Sequence, residues 1–436
     1  MLADYEGNTS FGRILWQLRG VFTVPTYLTF CGLVVGMIRQ SGVKTVCGML
    51  VGAGLSRTWR HERAHRFFSR ARWSVDDLGL VIMGIVVERL LGGGPVRLVV
   101  DDTLFVRWGR KVALAFWQHD GSGQGPNPIA YGNNFVVLGV LVKLPFRTRP
   151  MCLPVLFRIW RKGGPSRAEL ARELVLVAQT CVGCVQVDLV GDAAYAAKTL
   201  LPLPGVRIVS RLRKNAALYR PAPPRTGRRG RPRTKGARLP SLERIANDRR
   251  RRFKPVTVTR YGRTETVHAL KLRCLWYSVF GSDPVCVVLL RDSADDDSFD
   301  IALICSDPDA TAEHVIERYA ERWAIEVCFA DAKQTTGVGE AENRVTRAVE
   351  RTVPFGMLVQ TLTIIWYALH GHTNNIVEHR RQLAPWYLQK AEPSYTDMHM
   401  ALHRQLNGEE FMPTPHQPDD PQQIPDPAWL PEPCAA

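Results

Sequence analysis

At 436 residues the chain has room for two or three domains, and 45% hydrophobic with 22% charged residues excludes a disordered or fibrous protein. Its 57 Lys and Arg against 41 Asp and Glu leave a net charge of +16, and residues 207–254 alone carry 18 Lys or Arg and two acids. A block of that sign points to a polyanionic partner, nucleic acid first.

Residues 1–93 read as a helical N-terminal domain, with apolar residues at helical spacing and little β-type alternation. "VFTVPTYLTFCGLVVGMI" (21–38) approaches the length of a membrane span. Pro25 and three threonines within it favour a buried helical hairpin instead. "MLADYEGNTS" lacks a basic n-region, so no signal peptide is expected and the location reads as cytoplasmic. "TWRHERAHRFF" (58–68) contains His61-Glu62-Arg63-Ala64-His65, the spacing of a zinc-protease helix. However, Arg57, Arg60, Arg63, Arg66 and Arg70 crowd this helix, and Phe68 stands where the extended zinc motif has glycine. It reads as a basic helix of a DNA-binding domain, with His61 and His65 turned to the protein and Arg60 and Arg63 to phosphates.

From Val96 the texture changes. "VRLVVDDT" is a buried strand ending in acids; "KVALAFWQHD" and "NFVVLGVLVKLP" are two more strands, separated by the loop "GSGQGPNPIAYGNN". That loop lacks the lysine of a phosphate-binding loop and reads as a turn; His119 and Asp120 before it suit loop hydrogen bonds better than acid–base work. "SRAELARELVLVAQTCV" (166–182) is an amphipathic helix with Ser166 and Glu169 placed as a capping box. Cys181 and Cys184 have zinc-pair spacing but no second pair to complete a site, and the ten scattered cysteines read as reduced thiols. "VQVDLVGDAAY" is a strand ending in an acid, and "VRIVSRLRKN" a fifth strand.

The basic block opens with "YRPAPPRTGRRGRPRTKG", whose Pro, Gly and Arg content cannot form a core. Arg229-Gly230-Arg231-Pro232 resembles an AT-hook core, a strip that lays Arg into a narrow minor groove. Arg211, Arg213 and Lys214 trail the fifth strand and could line a groove beside Asp192. "PVTVTRYG" to "CVVLLRD" reads as an antiparallel meander, "DIALICSD" as a strand, "TAEHVIERYAERWAIEVCFADAKQ" as one long helix and "VPFGMLVQTLTIIWYALHG" as a second. Residues 407–436 hold eight prolines, six acids and no Lys or Arg, which reads as a disordered tail.

Three acids fall where functional groups gather in α/β sheets: Asp101 or Asp102 ends the first strand, Asp192 ends the fourth, and Glu326 lies on the long helix. Such a set can hold two Mg²⁺ ions for phosphodiester chemistry, although strand-end Asp residues also serve as turn formers and helix caps. Tyr319, Arg322, Glu326 and Lys333 are offset by 0, 3, 7 and 14, along one helical face. That face suits metal at its centre with phosphates on either side; it also suits a salt-bridged stripe pairing Glu326 with Arg322.

The Y-x2-R-x3-E-x6-K spacing resembles the signature of insertion-sequence transposases of the DDE superfamily. "VVDDT" and "LVGDAAY" resemble that group's first and second acidic motifs. The resemblance covers residues 96–380 or so and implies an α/β fold: an RNase H-like mixed sheet with a β-rich insertion before the last catalytic helix, plus the helical N-terminal domain. The core would occupy 94–215 and 299–380, the basic arm and insertion 216–298, a helical segment 381–406 and the tail 407–436. It implies a transposase that cleaves transposon ends and joins them to target DNA with Mg²⁺, or Mn²⁺ in its place. Asp101 (or Asp102), Asp192 and Glu326 would be metal ligands, and Tyr319, Arg322 and Lys333 phosphate contacts. Trp323 would stack on a displaced base or be buried. The partners implied are terminal inverted repeats, target DNA and a second copy of the chain, with nucleoid association and no membrane. The alternative is a catalytically silent DNA-binding relative.

Overall fold

The computed structural model describes residues 9–408 except 122, 124, 184, 202, 225–231, 249, 294–297, 374–375 and 385. Five helices come first: α1 (Ser10–Trp16), α2 (Val24–Arg39), α3 (Val46–Gly52), α4 (His61–Ser69) and α5 (Val75–Leu90). The apolar run expected to be a buried hairpin is a single helix, α2, buried along most of its length and packed on α3, which follows the run. Strands β1 (Val96–Val106), β2 (Phe116–His119), β3 (Ile129–Val142) and β4 (Met151–Trp160) follow, then α6 (Arg167–Val182), β5 (Val187–Gly191) and β6 (Val206–Arg211). The meander region adds α7 (Leu242–Ala246), β7 (Lys254–Arg260), β8 (Arg263–Leu275), α8 (Tyr277–Phe280), β9 (Pro284–Arg291) and β10 (Ile301–Cys305). The described chain ends in α9 (Ala312–Ala320), α10 (Trp323–Asp331), α11 (Thr346–Trp366), α12 (Ile376–Leu383) and α13 (Tyr395–Gly408).

The core half of the sheet has the order β4–β3–β1–β5–β6, with β1, β5 and β6 parallel and β3 antiparallel to its neighbours. This is the RNase H-like mixed sheet. Its central strands "VRLVV" and "VDLVG" are nearly continuous apolar runs because layers cover both faces. Ser166 caps α6 by accepting from the Glu169 amide, while Glu169 accepts from the Ser166 amide: the expected capping box. The meander is continuous with this sheet, because β10 pairs antiparallel with β6 and carries β9, β8 and β7 beyond it.

The N-terminal helices share one apolar core with the sheet and with α11. Arg351 of α11 fastens them. Its guanidinium donates to the carbonyls of Phe67 (3.4 Å), Phe68 (3.3 Å), Ala71 (2.9 Å) and Trp73 (2.5 Å), closing the free end of α4 with a cation. The helix running Thr346–Gly371 is long and apolar enough to cross a membrane, but 89% of its apolar window is buried in this core.

Four local expectations change. "MCLPVLFRIW" is a strand that alternation did not reveal: nearly all of it is buried, and Pro154 sits where the β3–β4 register shifts. The loop before β3 is shorter than its composition suggested, since pairing starts at Ile129. The long helix is interrupted at Glu321 and Arg322, so Tyr319 lies on α9 and Glu326 on α10. In α4 the buried stripe is Ala64, Phe67 and Phe68, whereas His61 and His65 are exposed. The aromatic rings outcompete the imidazoles for the core because they have no polar nitrogen to desolvate.

Candidate active site

Neighbouring residues of a strand point to opposite faces, and this separates the two candidate acids of β1. Asp101 faces the helix pair α9–α10. Its Oδ2 accepts from Arg322 Nη1 at 2.9 Å, and Arg322 Nη2 donates to Glu326 Oε1. Asp102 faces α6 and is saturated by the protein: Asn134 Nδ2 donates at 2.9 Å, Tyr195 Oη at 3.1 Å, and Arg167 Nε pairs with it at 3.1 Å. Asp192 comes next to Asp101 across the sheet, because Val100 and Gly191 are register partners in adjacent parallel strands. Gly191 ends β5, whereas β1 runs on to Val106, so Asp101 and Asp102 lie within the first strand and do not end it as expected. Asp192 also shapes its own turn, its Oδ1 accepting from the Ala194 amide and its carbonyl from Ser210 Oγ.

Electrostatics mark Asp101 as the strained acid. Burial pushes it up to about 7, and Asp192 and Asp102 push the same way, against Arg322 and the Asp102 amide. Burial weakens the charge of Arg322, but Asp101 and then Glu326 outweigh it and hold the guanidinium above its ordinary value. Burial also raises Tyr319, whose ring lies 5.9 Å from the Arg322 guanidinium. Lys333 follows α10 on a wide helical turn (Ala332–Thr336); burial lowers it, Asp120 opposes that, and its ammonium sits 5.2 Å from the Phe105 ring.

Among the described residues no three ligand-type side chains already form a metal cage. The reason is visible: the Arg322 guanidinium occupies the space between Asp101 and Glu326. The donor set nevertheless fits a hard divalent cation, being all carboxylate oxygen, with burial making the charge of Asp101 costly even beside Arg322.

The other anticipated residues divide. Arg211, the last residue of β6, and Lys214 beyond it are exposed, and Lys214 lies 5.7 Å from the Phe299 ring. Arg60 and Arg66 are both exposed; with Arg63 and Arg70 they line a hollow of about 590 Å³ beside α4. Arg63 itself turns inward, donating to Thr29 Oγ1 at 2.9 Å and stacking on Trp59 at 3.7 Å. Trp323 is 47% exposed and lines a pocket of about 160 Å³ between α10 and the β7–β8 turn. Arg229, Arg231 and Cys184 lie outside the described residues. Sequence reasoning missed Tyr195, Asn134 and Arg167 around Asp102. The one available signal was the tyrosine in "GDAAY", three residues after the second acid.

A family profile described as "DDE superfamily endonuclease" matches residues 23–269, more than half of the chain. The chain belongs to this family. The matched span carries Asp101 and Asp192 and stops before Glu326. No curated protein matches the chain. Among solved structures it is similar to a piggyBac transposase, seen by cryo-EM in a synaptic complex with hairpin DNA. The identity is 11%, the coverage 88% of this chain and 71% of that one, and the TM-score 0.41.

Proposed function

We propose that this DDE endonuclease is a DNA transposase that cuts transposon ends and joins them to target DNA. The observation that carries the reading is Arg322, a single guanidinium joining acids that lie 225 residues apart (326 − 101), with Asp192 beside them. Asp101, Asp192 and Glu326 would hold Mg²⁺ or Mn²⁺, which would activate the attacking oxygen and stabilise the leaving one. Arg322 leaves the carboxylates for DNA phosphate, where its planar fork fits two phosphate oxygens. Tyr319 and Lys333 grip the backbone on either side. Asn134, Tyr195 and Arg167 lock Asp102, and so fix the stretch of β1 that presents Asp101. The exposed cations Arg211 and Lys214 and the α4 hollow extend the phosphate track. In this reading water attacks the phosphorus at the transposon end, the 3′-oxygen leaves, and the freed 3′-OH then attacks target DNA. Two ends must be held together, so the DNA complex is a dimer.

Because Arg322 stands between two of the acids, a silent DNA-binding relative is the second reading. Incubation with Mg²⁺ and a DNA fragment bearing the element's own terminal repeats separates the two. Cleavage at the ends that disappears in Glu326→Gln supports the transposase. Binding without cleavage by the unaltered chain supports the silent reading.

A further inference from the structure

The β2–β3 hairpin carries an aromatic surface for which the cleavage chemistry gives no reason. Trp117 is 68% exposed and Ile129 67%. Trp117 is the register partner of Tyr131, and His119 of Ile129, so all four side chains share one face of the hairpin. The Trp117 and Tyr131 rings lie 5.7 Å apart, centroid to centroid. The loop before β2 adds Trp108, 88% exposed, beside the exposed cations Arg110 and Lys111.

The register also says where this face looks. Along β1 and β3, Asp101 pairs with Val137, Thr103 with Phe135 and Phe105 with Asn133. Two further residues along β3, with no register shift against β1, comes Tyr131. The aromatic face is therefore the continuation of the face that carries Asp101. Six residues separate Val137 from Tyr131, or about 20 Å at strand rise. Lys333, over the Phe105 ring, stands between the acid and the platform.

We propose that this hairpin face is a stacking platform for unpaired bases of DNA leaving the active site, an inference that rests on the DNA-cleavage reading above. An intact duplex offers phosphates and groove edges, and its base faces are already stacked. Exposed Trp and Tyr rings match only a base that has left the stack, and nearby cations match its backbone. A second copy of the chain fits this surface worse. The exposed cations Arg110 and Lys111 beside the rings suit a polyanion better than a second copy of a chain whose net charge is +16.

The test uses the full chain and two labelled duplexes of the same sequence, one blunt and one ending in a single-stranded dT tail, read by fluorescence anisotropy. Trp117→Ala should weaken binding of the tailed DNA about tenfold. It should leave blunt-duplex affinity and the salt slope unchanged, since stacking releases no counterions. Trp117→Phe, which keeps a ring, should retain most of the tailed-DNA affinity. Equal losses on both DNAs, no loss on either, or loss of self-association in sedimentation overturns the platform. If the unaltered chain binds neither DNA, the cleavage reading falls with it. If that chain cuts its terminal repeats while Trp117→Ala binds tailed DNA normally, only the platform falls.

Discussion

Asp101 and Asp102 are adjacent, chemically identical and opposite in consequence. Asp102 accepts from two almost fully buried donors, Tyr195 (2% exposed) and Asn134 (3% exposed), and forms an ion pair with Arg167. Asp102→Ala strands both buried donors, at about 1–3 kcal/mol each. The two stranded donors alone set the loss of stability at about 2–6 kcal/mol, a large part of the margin of a typical domain. Asp101 is the reverse case. Burial has raised it to about 7, so its charge is held at a cost, and Arg322 keeps Glu326 as a partner when Asp101 is neutralised. Asp101→Asn should change stability by less than about 1 kcal/mol and abolish DNA cleavage. Urea unfolding at constant slope reads the first quantity, and gel assays of end cleavage the second. Three results would refute the reasoning: Asp102→Ala as stable as the unaltered chain, Asp101→Asn the less stable of the two, or Asp101→Asn still cutting DNA.

Arg322→Met removes the cation between Asp101 and Glu326. It should raise Mn²⁺ affinity in the absence of DNA, measured by titration calorimetry, while losing end cleavage; unchanged affinity would mean that guanidinium and metal do not compete. In α4 the roles split by orientation. Arg60→Ala with Arg66→Ala should reduce the log-log salt slope of DNA binding by about 1.8, whereas Arg63→Ala should instead lower stability by about 1–2 kcal/mol through its bond to Thr29. His399 gives a pH dependence: burial, with Lys44 and His403 nearby, lowers it to about 4. Its contribution to stability is complete above the ordinary histidine value and is lost as pH falls from about 6.5 toward 4, by up to about 3 kcal/mol. His399→Gln should flatten that part of the stability–pH curve, and an unchanged curve would exclude His399 as its source.

The fold was legible wherever sequence pattern and environment coincided. Central strands covered on both faces gave apolar runs, and the Ser166–Glu169 box fixed the start of α6 to the residue. Pattern reading failed where burial erased the contrast between faces. β4 has almost no exposed position and contains a proline, so neither alternation nor propensity announces it. It failed again in α4, where two histidines at one-turn spacing suggested an inward stripe. Burial there is decided by Ala64, Phe67 and Phe68, and the imidazoles remain with solvent.

The site shows the sharper limit. Spacing along one helix exposes the local pair of Arg322 and Glu326, because residues four apart are neighbours on any helix. Nothing local exposes the pairing of Arg322 with Asp101, which depends on the break at residues 321–322 and on where α9–α10 crosses β1. That long-range pair changes the meaning of the local one. A guanidinium bonded to one acid at i+4 is a surface stripe; bonded to two acids 225 residues apart in sequence, it holds apart charges that would otherwise repel. DNA phosphate offers the same guanidinium an equally good partner, and a divalent cation offers the carboxylates a better one. Binding of the two together can therefore exchange the ion pair for a charged active site without leaving any buried charge unpaired.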